Sequence, residues 1–403
     1  MNPKVTTSGK KHVLLIIETS RGFGRGLLRG ISHHILEHDE WIVHVEDRGL
    51  LESTPSWIHD WKGDGIISRT SSFPIHRAIC RHQVPIVELL GNGRQVRAEV
   101  RSDEDQVASC AVKHLHLSGF SNFAFFSIGN AWWAQLRQEA FEREVRVRHG
   151  NVYLFPLAGR GPRVFYPAWK SDFNDLMLQW LKKLPRPAAI WSVSDALAIR
   201  LLEGCRRLGF SVPGEIAILG TTNDVLLCNT QTPSLSSIDL NSFRIGYTAA
   251  ERLSRKMQRK GDPEEPLLLI PPTGVVVRRS TESTFVSDPE LVEMLRFIRE
   301  NATRSLTVKQ LAEQFCISRS TLRRRFLKEL GYPAEQEIIR VRMERARRLL
   351  CETNFTLSAI AAKTGFATTD YFVQAFRREN GCTPAQYRRQ NSVTPDHIIQ
   401  SDG

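Results

Sequence analysis

Two sets of polar residues in this 403-residue chain have types and spacings suited to recognition. The first is Arg319, Ser320, Arg323 and Arg324, which share one side of a helix if the stretch is helical. Arginine carries a fork of donors that fits the two acceptors on the major-groove edge of guanine. Thr368, Thr369, Asp370, Gln374 and Arg377 repeat the arrangement further along. The second set follows a series of apolar runs: Arg21, Glu46 and Asp47, Arg69, Trp132 with Trp133 and Arg137, Asp195, and Asn223 with Asp224. Carboxylates and guanidinium groups bind paired hydroxyls, and an indole ring covers the C–H face of a polyol, so this set suits a small sugar.

The elements that would position the arginines are legible. Val308, Leu311, Ala312 and Phe315 recur at helical spacing after Thr307, a good N-cap. A short turn at Cys316-Ile317-Ser318 leads to a second helix with Leu322, Phe326 and Leu327 inward. Two short helices across a tight turn lay the second in the major groove of DNA. Glu335 to Leu350 reads as a connecting helix. The pattern then recurs: Leu357, Ile360 and Ala361 line a helix ended by Gly365, and Tyr371, Phe372 and Phe376 line the next. Asp370 is either a cap of that helix or a reader of cytosine. Arg340, Arg342, Arg347 and Arg348 are expected to touch phosphates or to be plain surface charge.

The second set sits on a different scaffold. Apolar runs such as HVLLII (12–17), WIVHVE (41–46), GDGIIS (63–68), PIVELL (85–90), FAFFSI (123–128), AAIWSV (188–193) and IAILGT (216–221) alternate with helical patterns. Strand–helix alternation with continuous apolar strands predicts a doubly wound α/β fold with parallel sheets, and two similar runs predict two lobes around a cleft. Ligands in such folds bind at the carboxyl ends of strands, where the second set lies. The alternative for Asp195 is that it simply caps a helix. Of the two tryptophans, one ring is expected in the core and one exposed, with Trp133 the better platform for a sugar. Gly22, Gly24, Gly26 and Gly30 fail the dinucleotide fingerprint, because Leu27 stands where its third glycine belongs. They read as a flexible loop at the cleft.

Composition supports the same division. Net charge is +12, which favours an anionic partner. From Arg319 to Arg389 there are 15 Lys/Arg against 7 Asp/Glu, so most of the excess sits beside the helix pairs. The 7 cysteines are scattered without metal-ligand spacing, as in a reduced cytosolic protein, and no metal or cofactor is expected. No apolar run is long enough for a membrane span, and the first residues do not read as a signal peptide. No nucleophile elbow or phosphate loop supports an enzyme.

Residues 305–389 resemble the AraC-family DNA-binding domain. The match rests on Leu311, Ala312, Ile317, Ser318, Leu322 and Phe326; on Arg342, Ala346, Leu349 and Leu350; and on Ile360, Gly365, Phe366, Tyr371, Phe372, Phe376, Pro384, Tyr387 and Arg388. The resemblance implies base contacts at Ser320, Arg324, Thr369, Asp370 and Gln374. The preceding part resembles the LacI/periplasmic-binding-protein sensor fold through WKGDGIIS, SVSDALAIRLLEGCRRLGFSVPGEIAILGTTND and PPTGVVVRRST. That resemblance implies ligand contacts at Arg137, Asp195 and Asp224. The combination is the layout of the xylose-operon regulator subfamily. The glycine-rich run departs from the subfamily's polar pattern there, so the identity of the sugar stays open.

The expected architecture is a disordered segment at 1–11, then a two-lobe sensor at 12–281. Its lobes are about 12–118, with a return segment, and 119–240. A linker at 282–288, an all-α double helix-turn-helix domain at 289–390 and a disordered tail at 391–403 complete it. The expected function is a cytoplasmic, sugar-controlled transcription regulator, an activator by analogy. Xylose or another pentose is the expected effector. Operator DNA, RNA polymerase and a second copy of the chain are the expected partners, and no membrane. Against it stand a sugar-modifying enzyme with a DNA-binding tail and a ligand-independent DNA-binding protein.

Overall fold

The computed structural model describes residues 9–38, 40–48, 56–70, 72–91, 99–127, 131–156, 171–258, 266–282, 288–330, 332–380 and 382–391. Most of the two segments expected to be disordered, residues 1–8 and 392–403, and the linker residues 283–287 lie outside the described residues. The chain divides into two compact units. One is Met1–Leu115 with Ser121–Thr281, and the other is His116–Phe120 with Glu282–Gly403.

The amino-terminal unit runs β1 (Lys11–Glu18), α1 (Gly22–His38), β2 (Trp41–Arg48), β3 (Gly65–Ser68), α2 (Phe73–Cys80), β4 (Ile86–Glu88), β5 (Val100–Ser102), α3 (Glu104–Leu117), β6 (Asn122–Phe126) and α4 (Trp132–Val147). It continues with β7 (Asn151–Leu154), α5 (Ser171–Lys183), β8 (Ala188–Ser192), α6 (Asp195–Leu208), β9 (Ile216–Thr221), α7 (Val225–Asn229), β10 (Ser236–Asp239), α8 (Ser242–Gln258), β11 (Leu268–Ile270) and β12 (Gly274–Val276). The first lobe holds a parallel sheet ordered β2-β1-β3-β4, and the second a sheet ordered β12-β10-β9-β8-β6-β7. Only β12 runs antiparallel in the second sheet. The parallel α/β reading therefore holds.

The continuous apolar run of β1 has a direct cause. Val13, Leu15 and Ile17 face a core shared with Leu27 and Ile31 of α1 and with Ala249 and Leu253 of α8. Leu14 and Ile16 face a second core with Ile58, Ile75 and Ile79. A strand covered on both faces cannot alternate. Burying each such side chain contributes about 1.5–3 kcal/mol. Helices α1 and α8 approach backbone to backbone. A Cβ on Gly30 would lie 2.0 Å from the Phe243 carbonyl oxygen, and one on Gly246 would lie 2.1 Å from that of Leu27.

The glycine run is therefore not a flexible loop: α1 already begins at Gly22. Two strands were missed in the sequence because β5 (Val-Arg-Ser) and β10 (Ser-Ser-Ile-Asp) carry no apolar run to mark them.

The carboxy-terminal unit contains α9 (Pro289–Asn301), α10 (Val308–Gln314), α11 (Arg319–Leu330), α12 (Ala334–Glu352), α13 (Leu357–Lys363), α14 (Thr369–Asn380) and α15 (Pro384–Asn391). Asp288 caps α9 by accepting from the Glu290 and Leu291 amides. The unit has two cores threaded on α12. Ala334 and Ile338 join α9, α10 and α11 in one core, and Met343, Ala346, Leu349 and Leu350 join α13, α14 and α15 in the other. Helix α15 has the sequence PAQYRRQN, whose polarity hides it from hydrophobic periodicity; Tyr387 ties it into the core.

Candidate ligand cavity and nucleic-acid interface

A cavity of about 430 Å³ opens at the carboxyl ends of β1, β3 and β8 in the amino-terminal unit. Of the residues expected there, Arg21, Arg69, Trp133, Arg137, Asp195 and Asp224 line it. Glu46 and Asn223 do not. Glu46 lies on β2, the edge strand beyond β1, one strand away from the opening. Asn223 turns its amide toward Asp239 at 3.3 Å and accepts from Arg278 at 3.0 Å. Asp47 is on β2, but its side chain lies outside the described residues.

The cavity wall is organised by ion pairs that the sequence does not announce. Arg137, on α4, is buried and donates through Nε and Nη2 to the two carboxylate oxygens of Glu104 at 2.6 and 3.0 Å. Its Nη1 donates to the Val193 carbonyl at 2.9 Å. Ser102 donates to the same carboxylate at 2.7 Å. The guanidinium of Arg137 stands 5.4 Å from the Trp133 ring, in cation–π range. Across the cavity Arg69 pairs with Glu18 at 2.9 Å and covers Phe23 at 4.8 Å. Glu18 and Glu104 were both missed. Glu18 had a signal, since it is the one acid terminating an otherwise apolar strand. Glu104 looked like an ordinary first-turn acid of α3.

Asp195 does not cap α6; Ser194 does, accepting from the Leu197 amide. The Asp195 carboxylate instead accepts from Ser237 at 2.5 Å, Thr222 at 2.9 Å and the Asp224 amide at 2.8 Å. Burial pushes its carboxyl up to about 6 against the pull of those three donors. Asp195 thus braces the turn that presents Asp224.

In the carboxy-terminal unit both helix pairs are capped at each start. Thr307 and Gln310 form a capping box on α10, and Ser318 caps α11 through the Thr321 amide at 3.1 Å. Thr356 caps α13, and Thr368 caps α14 through the Tyr371 amide at 3.2 Å. Leu322 and Phe326 are buried, which leaves Arg319, Ser320, Arg323 and Arg324 exposed on the far side of α11. Arg325, the next arginine of that run, is turned back to pair with Glu290 and, at 3.5 Å, with Asp288. On α14, Asp370, Gln374 and Arg377 are exposed and Thr369 is partly so. Because Thr368 provides the cap, the Asp370 carboxylate is not needed for it.

Arg342 corrects an expectation. It is buried and donates to the carbonyls of Ala302 at 2.9 Å and Leu306 at 2.7 Å, with Phe366 5.4 Å from its guanidinium. It ties the two helix pairs together and is no surface charge. Arg340 pairs with the buried carboxylate of Glu337 at 2.6 Å, and Arg347 donates to Asn380 at 3.1 Å. The side chain of Arg348 lies outside the described residues.

Comparison with known proteins agrees with both halves. The periplasmic binding protein-like domain matches residues 112–281, and a helix-turn-helix domain matches residues 311–390. The xylose operon regulatory protein of Escherichia coli (strain K12) is 28% identical over 397 residues, covering 95% of this chain and 98% of that one. Its counterpart in Haemophilus influenzae is 27% identical over 385 residues, covering 93% and 97%. Among solved structures, that of the xylose-binding transcription activator xylR has a TM-score of 0.58 at 26% identity, covering 95% of this chain and 99% of that chain.

Proposed function

Since the chain is homologous to the xylose operon regulatory proteins over nearly its whole length, joining a periplasmic-binding-protein-like domain to a helix-turn-helix domain, we propose that it is a sugar-responsive, DNA-binding transcription regulator. The observation that carries this reading is the full-length, two-domain homology. The sensor cavity takes a small sugar, with xylose or another pentose the first choice because the relatives are named for xylose. The Trp133 ring offers a platform for the sugar's C–H face, and Arg69 and Arg137 line the cavity as candidate donors to its hydroxyls. Glu104 and Asp195 hold the wall in shape.

The exposed faces of α11 and α14 read operator DNA. Arg319, Arg323 and Arg324 supply the guanine-type donors, and Thr369, Asp370, Gln374 and Arg377 read the second segment. Arginines that reach the backbone instead set affinity and register. The regulator acts in the cytoplasm as a homodimer that presents four helix pairs to spaced half-sites, and it activates transcription through RNA polymerase. Activation is favoured over repression because the xylose-binding transcription activator xylR is among the structural neighbours. No helix among the described residues is long and apolar enough to cross a membrane. We read the protein as a binding protein rather than an enzyme.

The test is a footprint of the purified full-length chain on the DNA upstream of its own gene, paired with melting against a panel of pentoses and hexoses. A ligand that binds the native state raises the melting temperature. A sugar that raises it and alters the footprint is the expected result; a protein with no sequence preference on that DNA overturns the reading.

A further inference from the structure

The acidic side chains that line the sensor cavity are already engaged. Glu18 pairs with Arg69 at 2.9 Å, and Glu104 with Arg137 at 2.6 Å. Asp195 accepts from Ser237 and Thr222, and Asp224 accepts from Nη2 of Arg25 at 3.1 Å. Arg101, on β5, lines the same cavity and has no carboxylate partner among the described residues. Its Nη1 donates to the Ser102 carbonyl at 3.1 Å, and its Nε is buried without an acceptor. A guanidinium carries five N–H donors, so the protein itself uses little of this one's capacity.

The side chain is nevertheless held in place. Its guanidinium stands 5.4 Å from the Trp132 ring, in cation–π range, and that ring is fixed by donation from its indole N–H to the Gly91 carbonyl at 2.6 Å. Trp132 is also the first residue of α4. The starts of α1, α4 and α6 all border the cavity. Side-chain oxygens serve two of them: the Gly22 amide of α1 donates to Asp224 at 3.0 Å, and Ser194 caps α6. The start of α4 has Ala131 at its N-cap, which carries no oxygen. A helix start favours an anion, so Arg101 and α4 concentrate positive potential in one part of the wall.

We propose that the cavity takes a sugar acid, a five- or six-carbon aldonic or uronic acid whose carboxylate pairs with Arg101 beside the start of α4. The inference rests on reading the cavity as the sensor's sugar site, and it narrows the class of sugar from the neutral aldose to its acid. A hydroxyl in the same place accepts a weaker bond, since charge-assisted hydrogen bonds are roughly twice as strong as neutral ones. A carboxylate fits better than a phosphate ester. It carries one charge and a planar pair of oxygens matching the guanidinium fork, whereas a phosphate ester carries about −1.5 to −2 at pH 7.

Calorimetric titration of the full-length protein with xylose, xylonate, glucuronate and xylose 5-phosphate tests this, in the native chain and in Arg101→Gln and Arg101→Lys. Melting without ligand first checks that each variant folds. The native protein is expected to bind at least one of the two acids more tightly than xylose. Arg101→Gln is expected to weaken that acid by roughly ten- to hundredfold, the worth of a hydrogen bond to a charged group, and to change xylose binding little. Arg101→Lys, which keeps the charge but loses the fork, should fall between. Xylose binding as tight as either acid overturns the proposal, as does an equal loss for acid and xylose in Arg101→Gln. Tightest binding of the phosphate overturns the carboxylate assignment. If Arg101→Gln does not fold, the native protein's order of affinity for acid and aldose decides. Binding of xylose alone sinks only this inference and leaves the sugar reading standing, whereas binding of none of the four removes both.

Discussion

Arg137 and Glu104 meet through two parallel hydrogen bonds, at 2.6 and 3.0 Å, in the wall of the sensor cavity, and both are almost fully buried. A buried pair of this geometry holds its place because removal of one partner strands the charge of the other. Arg137→Ala is expected to destabilise the sensor by about 3–5 kcal/mol. Glu104→Gln, which keeps an acceptor but loses the charge, should cost less. Thermal melting of the two variants checks this, and equal, small shifts would show that the pair does not hold the cavity wall.

Arg342 separates structure from DNA contact. Its donations to the Ala302 and Leu306 carbonyls hold the first helix pair against α12. Arg342→Met is expected to lower the melting temperature of the carboxy-terminal unit and weaken DNA binding, yet leave the slope of log affinity against log salt unchanged. Arg323→Ala, which removes an exposed guanine-type donor, leaves melting unchanged, costs about 1–3 kcal/mol of binding and relaxes the preference at one operator position. Melting curves together with titrations on the operator and on single-base variants of it distinguish them.

Thr368 and Asp370 divide two roles that the sequence left open. Thr368→Ala is expected to cost about 1 kcal/mol of stability through loss of the α14 cap. Asp370→Ala should leave stability within about 0.5 kcal/mol, as an exposed position does, but change which base pair is preferred at one operator position. Selection of binding sites from a randomised operator reads that preference; a loss of stability in Asp370→Ala would put the carboxylate back in the fold.

Glu88 sets a pH dependence. Its Oε1 accepts from the amides of Thr70, Leu90 and Gly91 at 2.9, 3.0 and 3.3 Å, yet burial pushes the carboxyl up to about 7 from 4.5. The folded state therefore keeps a proton that the unfolded state has released. Stability from this group is present below pH 4.5 and is lost as pH rises toward 7. Glu88→Gln stays uncharged, so its stability relative to the native protein should grow across that window, by up to about 3 kcal/mol. His34 works in the opposite sense. Burial lowers it to about 4 from 6.5, so its contribution is lost as pH falls between those values. Melting curves of Glu88→Gln and native protein from pH 4.5 to 8 isolate the carboxylate; a constant difference would mean that Glu88 does not titrate there.

Much of this organisation was legible in the order of residue types. Continuous apolar strands separated by helical periods dictate a parallel α/β unit, because a strand covered on both faces has no polar side to show. Helical spacing, caps at Thr307 and Ser318 and the outward arginines dictate the helix pairs, because these are local relations within a few turns. The chain's own sequence also determined that residues following β1, β3, β8 and β9 would sit at strand ends.

Only the tertiary structure decided which of those residues share a cavity and what each one holds. Glu46 follows the same kind of strand as Arg69, yet β2 lies at the sheet edge and β3 inside it. Arg342 and Arg324 are both arginines on basic helices, but one is buried against carbonyls and the other exposed. Asp224 and Gly22 are 202 residues apart and meet because two lobes close on each other. Strand order, burial and contact across a cleft are set by packing between distant segments, and neither residue type nor local spacing carries that information.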